Sequence, residues 1–218
     1  MLPRLYAILD VNLAARRGFA PEFLCDAWLD AGVRLIQLRA KSMPSGELLA
    51  LGETLAARAR SAGAFFVVND RADIAQWSGA SGVHLGQDDL APQDARVLLP
   101  PPAMIGVSTH SDEQFRTALD ARADYVAMGP VFSTTSKEQP DPVVGLESIE
   151  RAATLARARH RPLVAIGGIT LARAADVMAA GADAVAVISD LLTDDDPAAR
   201  ARAFIDALGR LTRPQAPG

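Results

Sequence analysis

The chain alternates short apolar runs with longer amphipathic segments along almost its whole length. A run of four to eight apolar residues predicts a buried strand, and apolar residues three and four apart predict a helix. The predicted strands span residues 5–10, 35–41, 65–70, 82–86, 104–109, 125–132, 162–166 and 184–188. The predicted helices span residues 21–31, 45–62, 72–77, 91–99, 112–121, 146–159, 171–180 and 197–211, with Ser111 expected to cap the fifth.

Strand and helix therefore alternate eight times without a linker or a shift in composition. This order predicts a single α/β domain over residues 1–212, a (β/α)₈ TIM barrel rather than an open doubly wound sheet. The first strand is not followed by Gly-x-Gly-x-x-Gly, which disfavours a dinucleotide-binding fold. Residues 213–218 are expected to form a flexible C-terminal tail.

Composition narrows the functional class. The 218 residues are 50% hydrophobic, enough for one sizeable core, and the net charge of −4 argues against a nucleic-acid partner. The sequence offers neither an apolar run of about 20 residues nor a secretory leader, so we expect no membrane partner and a cytoplasmic location. Cys25, the only cysteine, lies in a helical pattern and is expected to be a core residue.

The second predicted strand carries polar groups at every second position. Gln37, Arg39 and Lys41 share one face, and cations on a buried strand are costly unless they meet water or an anion. We interpret this face as part of a site, although an edge strand with a solvated face would show the same pattern. Lys41 and Lys137 are the only two lysines in a chain rich in arginine, which favours a specific role for both.

In a (β/α)₈ barrel, the carboxyl ends of the strands hold the active site. Asp70 follows the third strand, and Asp88 and Asp89 follow the fourth, so carboxylates from neighbouring strands should meet at one cleft. Such oxygen ligands suit Mg²⁺, which commonly binds one or two carboxylates together with substrate phosphate. Each aspartate taken alone could equally be a helix cap.

A second anion site is indicated on the other side of the mouth. Gly167 and Gly168 follow the seventh strand, and Ser189 follows the eighth, where main-chain N–H groups commonly hold a phosphate in this fold. A glycine pair after a strand can also be only a turn. Two phosphate sites, one of them metal-assisted, imply that two phosphorylated substrates are joined.

These residues together resemble the thiamine-phosphate synthase family. The matching segments run in order over nearly the whole chain: Gln37-Leu38-Arg39-Ala40-Lys41, Asn69-Asp70-Arg71, His84-Leu85-Gly86-Gln87-Asp88-Asp89-Leu90, Gly106-Val107-Ser108, Gly129-Pro130-Val131-Phe132 with Lys137, and Ile166-Gly167-Gly168-Ile169. The resemblance implies coupling of 4-amino-2-methyl-5-(diphosphooxymethyl)pyrimidine to thiazole phosphate, with release of pyrophosphate. One position departs from the family, since Ser136 stands where a threonine is usual.

The resemblance also implies roles for individual residues. The pyrimidine diphosphate is assigned to the segment from Gln37 to Lys41, including Leu38, Arg39 and Ala40, and to Asn69, Ser108 and Lys137. The metal Mg²⁺ is assigned to Asp70 and Asp89. The thiazole phosphate is assigned to Thr134, Thr135, Ser136, Gly168, Ile188 and Ser189. Arg39, Lys41, Lys137 and Ser108 are the implied catalytic groups.

The implied mechanism is dissociative and needs no protein nucleophile, so His84, His110 and His160 are expected to be structural rather than catalytic. Three rival functions stay open at this point. A thiazole tautomerase would use a residue such as His110 to move protons, but it would not need a diphosphate and metal site. A non-catalytic barrel could bind a phosphorylated ligand, and a Schiff-base aldolase would use Lys41 or Lys137.

Overall fold

The computed structural model describes residues 2–134 and 141–211, and these form a closed barrel of eight parallel strands surrounded by helices. The strands are β1 Leu5–Asp10, β2 Leu35–Arg39, β3 Phe65–Asn69, β4 Gly82–Leu85, β5 Met104–Thr109, β6 Tyr125–Met128, β7 Leu163–Ile166 and β8 Ala184–Val187. The helices are α1 Val11–Arg16, α2 Pro21–Asp30, α3 Ser45–Ser61, α4 Ala72–Ser78, α5 Pro92–Leu98, α6 Asp112–Asp120, α7 Gly145–Ala158, α8 Leu171–Ala179 and α9 Pro197–Gly209, with a 3₁₀ helix at Ser189–Leu192. The predicted (β/α)₈ barrel is confirmed.

Each strand pairs with the next one along the chain, and β8 pairs with β1 to close the barrel. Alternate side chains point to opposite sides of a strand, and the buried apolar side chains form an inner and an outer core. The inner core is small and comprises Tyr6, Ile8, Leu35, Val67, Tyr125, Ala127, Val164, Ala184 and Ala186. The outer core lies between the sheet and the helices and holds large side chains such as Trp28, Phe66, Phe115 and Phe204.

Helix ends follow the local sequence signals. The predicted cap is confirmed at Ser111, whose side chain accepts a hydrogen bond from the main-chain nitrogen of Gln114 at 3.2 Å. Gly32 and Gly63 follow α2 and α3 with φ of +99° and +65°, values that favour glycine over other residues. These turns send the chain back into the next strand.

The structure differs from the predicted elements in a few places. Helix α1 was not predicted, because its six residues are too few to show a clear apolar period, and the side chain of Asp10 caps it. Strand β2 ends at Arg39 rather than at 41, and β6 ends at Met128 rather than at 132, just before Pro130, which lacks the N–H that a ladder needs. The predicted tail at 213–218 lies outside the described residues.

Across residues 2–134 and 141–211, no helix is both long enough and apolar enough to cross a membrane.

Candidate active site at the carboxyl ends of the strands

The carboxyl ends of all eight strands meet at one mouth of the barrel, and most predicted site residues lie there. The parallel register aligns Asp10 with Arg39 across β1 and β2, and Asn69 with His84 across β3 and β4. Asn69 is half-buried at the last position of its strand. Polar residues that are distant in the sequence share one cleft because the eight strands close into a barrel.

Arg39 is held in place by Asp10, the last residue of β1. The Asp10 side chain is nearly buried, forms an ion pair with Arg39 and also accepts a hydrogen bond from the main-chain nitrogen of Leu13 at 2.8 Å. One carboxylate thus caps α1 and orients the guanidinium. One sequence signal could have indicated this role of Asp10. It is an acid at the last position of β1, the strand that neighbours the one carrying Arg39.

The rest of the second strand divides between the two sides of the sheet. Gln37 is buried inside the barrel, where its amide nitrogen donates to the Tyr6 hydroxyl at 2.7 Å. The side chains of Leu38 and Ala40 pack in the outer core and so do not face the mouth. Lys41 lies beyond the strand end in an exposed turn, and the prediction that it shares the strand face is therefore wrong. An exposed turn also lacks the desolvation that a Schiff-base lysine needs.

Asp70 and Asp89 form the acidic pair of the mouth. Asp70 adopts a left-handed backbone with φ of +65°, which aspartate tolerates better than most residues. Asp89 accepts a hydrogen bond from the main-chain nitrogen of Gly86 at 2.6 Å. Helices α4 and α5, which follow the pair in sequence, begin at Ala72 and Pro92 without a side-chain cap, so neither aspartate serves as their N-cap.

The electrostatics of the acidic pair favour a cation. The pKa of Asp70 is raised to about 6 by partial burial, and further by the charge of Asp89 and by a hydrogen bond between the two side chains. The charges of Lys41 and Arg39 lower it. Two carboxylates this close repel each other when both are ionised. Among the described residues, His, Cys, Asp and Glu side chains form no cluster of three that could hold a metal, so a metal here would depend on two carboxylates, water and substrate.

Ser108 stands between the acidic side of the mouth and a separate pocket. Its hydroxyl lies 2.8 Å from Nε2 of His84, and its carbonyl accepts a hydrogen bond from the Gln87 amide at 2.6 Å. It also lines the second pocket. A ligand on either side of the mouth would therefore lie close to this hydroxyl.

The second pocket, called the glycine pocket below, lies at the ends of β5 to β8. Its lining includes Ser108, His110, Gly129, Pro130, Thr134, Asp141, Ile166, Gly167, Gly168, Ile169, Ala186, Ile188 and Ser189. Gly168 has φ of +62°, and a Cβ there would lie 2.5 Å from the carbonyl oxygen of Ser133. Only glycine fits that position. The predicted ligands Thr135, Ser136 and Lys137 lie outside the described residues.

The three histidines differ in their surroundings. His84 is buried inside the barrel, and His160 is exposed after α7. His110 places Nδ1 2.7 Å from the carbonyl oxygen of Gly129 and Nε2 3.5 Å from the Asp141 carboxylate. His110 thus belongs to the wall of the glycine pocket, which sequence reasoning did not include among the binding residues.

Known proteins provide an independent comparison. A model of the family described as thiamine monophosphate synthase matches residues 5–191. The thiamine-phosphate synthase of Koribacter versatilis is 44% identical over 214 residues, which cover 95% of this chain and 96% of that protein. The same-named protein of Haloarcula marismortui is 42% identical and covers 93% of this chain and 95% of its own length.

The solved structure of thiamine phosphate pyrophosphorylase from Pyrococcus furiosus superposes with a TM-score of 0.83 at 31% identity, covering 95% of this chain and 96% of that one. The family resemblance predicted from the motifs is confirmed, and the rival functions are not favoured. The chain therefore belongs to the thiamine-phosphate synthase family and is a (β/α)₈-barrel transferase.

Proposed function

We propose that the mouth of the barrel joins 4-amino-2-methyl-5-(diphosphooxymethyl)pyrimidine to thiazole phosphate, giving thiamine phosphate and pyrophosphate. The observation that carries this proposal is the division of the mouth into an acidic pair flanked by cations and a separate glycine pocket, with Ser108 at their border. A site built this way suits two phosphorylated molecules that react with each other.

On the acidic side, the proposed ligands of the diphosphate are the polar residues of β2, β3 and β5. Arg39 and Lys41 provide positive charge, and the Asp10 ion pair limits the freedom of Arg39 before substrate arrives. Gln37, Asn69 and Ser108 provide neutral hydrogen bonds, and Lys137, which follows β6 in the sequence, is proposed as a further cation. Leu38 and Ala40 would contribute main-chain groups, because their side chains pack in the outer core.

Asp70 and Asp89 would hold Mg²⁺. Their carboxyl groups are adjacent, partly exposed at the mouth and close to Arg39 and Lys41, which matches the preference of magnesium for one or two carboxylates plus substrate oxygens. A bound magnesium ion would neutralise charge on the diphosphate oxygens and so improve pyrophosphate as a leaving group.

The glycine pocket is proposed to bind the thiazole phosphate. Main-chain groups of Gly168 and Ile188 and the hydroxyls of Thr134 and Ser189 would contact its oxygens, with Thr135 and Ser136 as further ligands. Backbone can approach an anion closely at Gly168 because the position excludes a side chain.

The proposed order of events is dissociative. The bond between the methylene carbon and the diphosphate oxygen breaks first, and both electrons leave with pyrophosphate. Arg39, Lys41, Lys137 and the Ser108 hydroxyl stabilise the charge that develops on the departing group. The thiazole nitrogen then donates its electron pair to the pyrimidine methylene cation. This sequence requires no nucleophile from the protein.

The experiment that tests the function is incubation of the two substrates with Mg²⁺ and measurement of both products. We expect pyrophosphate and thiamine phosphate in equal amounts. A thiazole tautomerase would instead change the thiazole phosphate without the pyrimidine, and a non-catalytic barrel would give neither product. Either result would contradict the proposal.

The metal assignment has its own test. Asp70→Asn removes a carboxylate oxygen and its charge while keeping a side chain that tolerates left-handed backbone, so it is a cleaner variant than Asp70→Ala. Asp94→Asn on the exposed face of α5 is the matched control. We expect Mg²⁺ to raise the melting temperature of the wild type and of the control but not of Asp70→Asn. Equal shifts in all three would remove Asp70 from the metal site.

Residues 1–212 are proposed to form one catalytic domain. The cytoplasmic location expected from the sequence stays a prediction.

A further inference from the structure

A chain of hydrogen bonds crosses the inside of the barrel beneath the mouth. The Gln37 amide nitrogen donates to the Tyr6 hydroxyl at 2.7 Å, and the Tyr6 and Tyr125 hydroxyl oxygens lie 2.9 Å apart. The Tyr125 oxygen lies 3.0 Å from Nδ1 of His84, and Nε2 of His84 lies 2.8 Å from the Ser108 hydroxyl. These hydrogen bonds connect Gln37 to Ser108. The family resemblance assigns both residues to the pyrimidine diphosphate.

The middle of this hydrogen-bond chain is withdrawn from water. Relative exposure is 1% at Tyr6, 0% at Tyr125, 6% at His84 and 2% at Gln37. The rings of Tyr6 and Tyr125 meet edge to face at 6.0 Å, and those of Tyr125 and His84 stack at 5.6 Å. Polar groups buried this deeply need defined partners, since an unmade hydrogen bond there cannot be replaced by water.

The hydrogen bonds from Gln37 to Ser108 run in one donor-to-acceptor direction, and Gln37 sets that direction. An amide nitrogen only donates, so the Tyr6 oxygen accepts and its single hydrogen goes to Tyr125. With its oxygen accepting from Tyr6, the Tyr125 hydroxyl has its own hydrogen for Nδ1 of His84, which lies 3.0 Å away. A neutral imidazole with Nδ1 as acceptor carries its proton on Nε2, which then donates to the Ser108 oxygen.

Ser108 is left as a hydrogen-bond donor toward the mouth. Its oxygen already accepts from His84, so its own hydrogen is available to an acceptor in the site. A hydroxyl polarised in this way donates a stronger hydrogen bond than an isolated one. The reverse direction would make His84 accept the Ser108 proton, as in an activated nucleophile, which the proposed coupling does not need.

We propose that Tyr6, Tyr125 and His84 are positioning residues that connect Gln37 to Ser108 and fix the Ser108 hydroxyl as a donor to the diphosphate substrate. The assignment of the diphosphate to Ser108 rests on the proposed function, whereas the direction of the hydrogen bonds rests on the donor role of the Gln37 amide nitrogen and on the single hydrogen that each hydroxyl carries. The three residues act through Gln37 and Ser108 and do not touch the reacting atoms.

The ionisation of the two tyrosines supports a chain of neutral hydroxyls. Burial raises the pKa of Tyr6 and of Tyr125 well above the ordinary value for tyrosine. Both therefore keep their protons over the whole range in which an enzyme of this kind would be assayed. Each hydrogen bond in the series then has one hydrogen. Loss of a tyrosine proton does not reverse the donor and acceptor roles in this range.

The direct test is nitrogen NMR of the three histidines in the folded, substrate-free protein. His110→Gln and His160→Gln identify the signals of the other two rings and leave His84 unchanged. We expect Nε2 of His84 to be protonated and Nδ1 to be unprotonated. Protonation at Nδ1 would show the reverse direction and overturn the proposal, whether or not the protein synthesises thiamine phosphate.

Variants then connect the chain to catalysis. Tyr125→Phe removes the central hydroxyl, and Thr109→Val is the matched control, since the Thr109 hydroxyl is buried on the same strand as Ser108 but bonds the carbonyl of Ala127. We expect Tyr125→Phe to shift His84 toward the Nδ1-protonated form and to lower kcat about tenfold, the loss of roughly one hydrogen bond to a charged group. The KM for thiazole phosphate should not change, and Thr109→Val should behave as wild type.

Tyr6→Phe provides a second break in the chain if Tyr125→Phe does not fold, and the same changes in tautomer and kcat are expected. If Tyr125→Phe or Tyr6→Phe folds and changes neither the His84 tautomer nor kcat, the positioning role is refuted. Failure of the proposed function is distinguishable from this result, because it would appear as absence of thiamine phosphate with the wild-type protein itself.

Discussion

Gly106 leaves space for the ring of Tyr125, which is buried inside the barrel, and Gly106→Ala would remove that space. A Cβ at this position would lie 2.0 Å from Cζ of Tyr125 and 2.3 Å from its hydroxyl oxygen. Both distances are far below van der Waals contact, so the ring must move. Gly106 lies on β5, and its neighbour across the ladder on β6 is Tyr125 itself.

The expected cost is large for the addition of one methyl group. Overpacking a well-filled core costs about 1–3 kcal/mol. Tyr125 is fully buried, so moving its ring also disturbs its hydrogen bonds to Tyr6 and His84, each worth about 0.5–1.5 kcal/mol. We therefore expect Gly106→Ala to lower the free energy of unfolding by about 3 kcal/mol, which corresponds to a fall in Tm of roughly 6–12 °C for a chain of this size.

A double-mutant cycle measured by urea unfolding assigns the cost to the tyrosine. Tyr125→Leu removes the ring, so Gly106→Ala should cost at least 2 kcal/mol less in that background than in the wild type. The m-values must agree for the comparison to hold. If the two substitutions are additive, the added methyl group does not act through Tyr125, and the reasoning from the Cβ position is refuted.

Three further predictions follow from single residues. Asp10→Ala should be less stable to urea than Asp10→Asn by about 1 kcal/mol, because asparagine keeps the cap of α1, and equal stability would exclude capping. Burial, followed by the charge of Asp26, raises the pKa of the Cys25 thiol to about 12, so folded protein at pH 8 should resist a thiol reagent that labels the urea-unfolded chain at once. Ser189→Ala should raise KM for thiazole phosphate and leave that for the pyrimidine diphosphate within about twofold, while equal changes would contradict separate sites.

The fold was predictable because its signals are local and repeated. Each strand is a short apolar run, and each is followed by a helical pattern, so an error of a few residues at one end does not change the order of elements. Helix α1 was missed for the opposite reason. Its six residues depend on a cap from Asp10 and on their place at the barrel mouth rather than on an apolar period of their own.

The candidate site was predictable where a polar residue interrupts an apolar run. Gln37, Arg39 and Ser108 stand out in this way within or at the end of strands. Lys41 was misplaced because alternation along the sequence cannot show where a strand stops. The role of Asp10 as partner of Arg39 depends on the register between β1 and β2, and the left-handed turn at Asp70 depends on tertiary context, so neither was visible in the chain alone.

The interior of the barrel also explains why the two substrates would bind on different sides. The large side chains of Tyr6, Tyr125 and His84 point into the barrel from β1, β6 and β4, and the Tyr125 hydroxyl lies within hydrogen-bond distance of both Tyr6 and His84. On β8 the inward positions are Ala184 and Ala186, and Ala186 forms part of the glycine pocket. Small residues on that side leave volume for a ligand that large ones would take. Ser108 both contacts His84 and lines the glycine pocket, so a hydrogen bond donated from its hydroxyl would reach the point at which both substrates would have to meet.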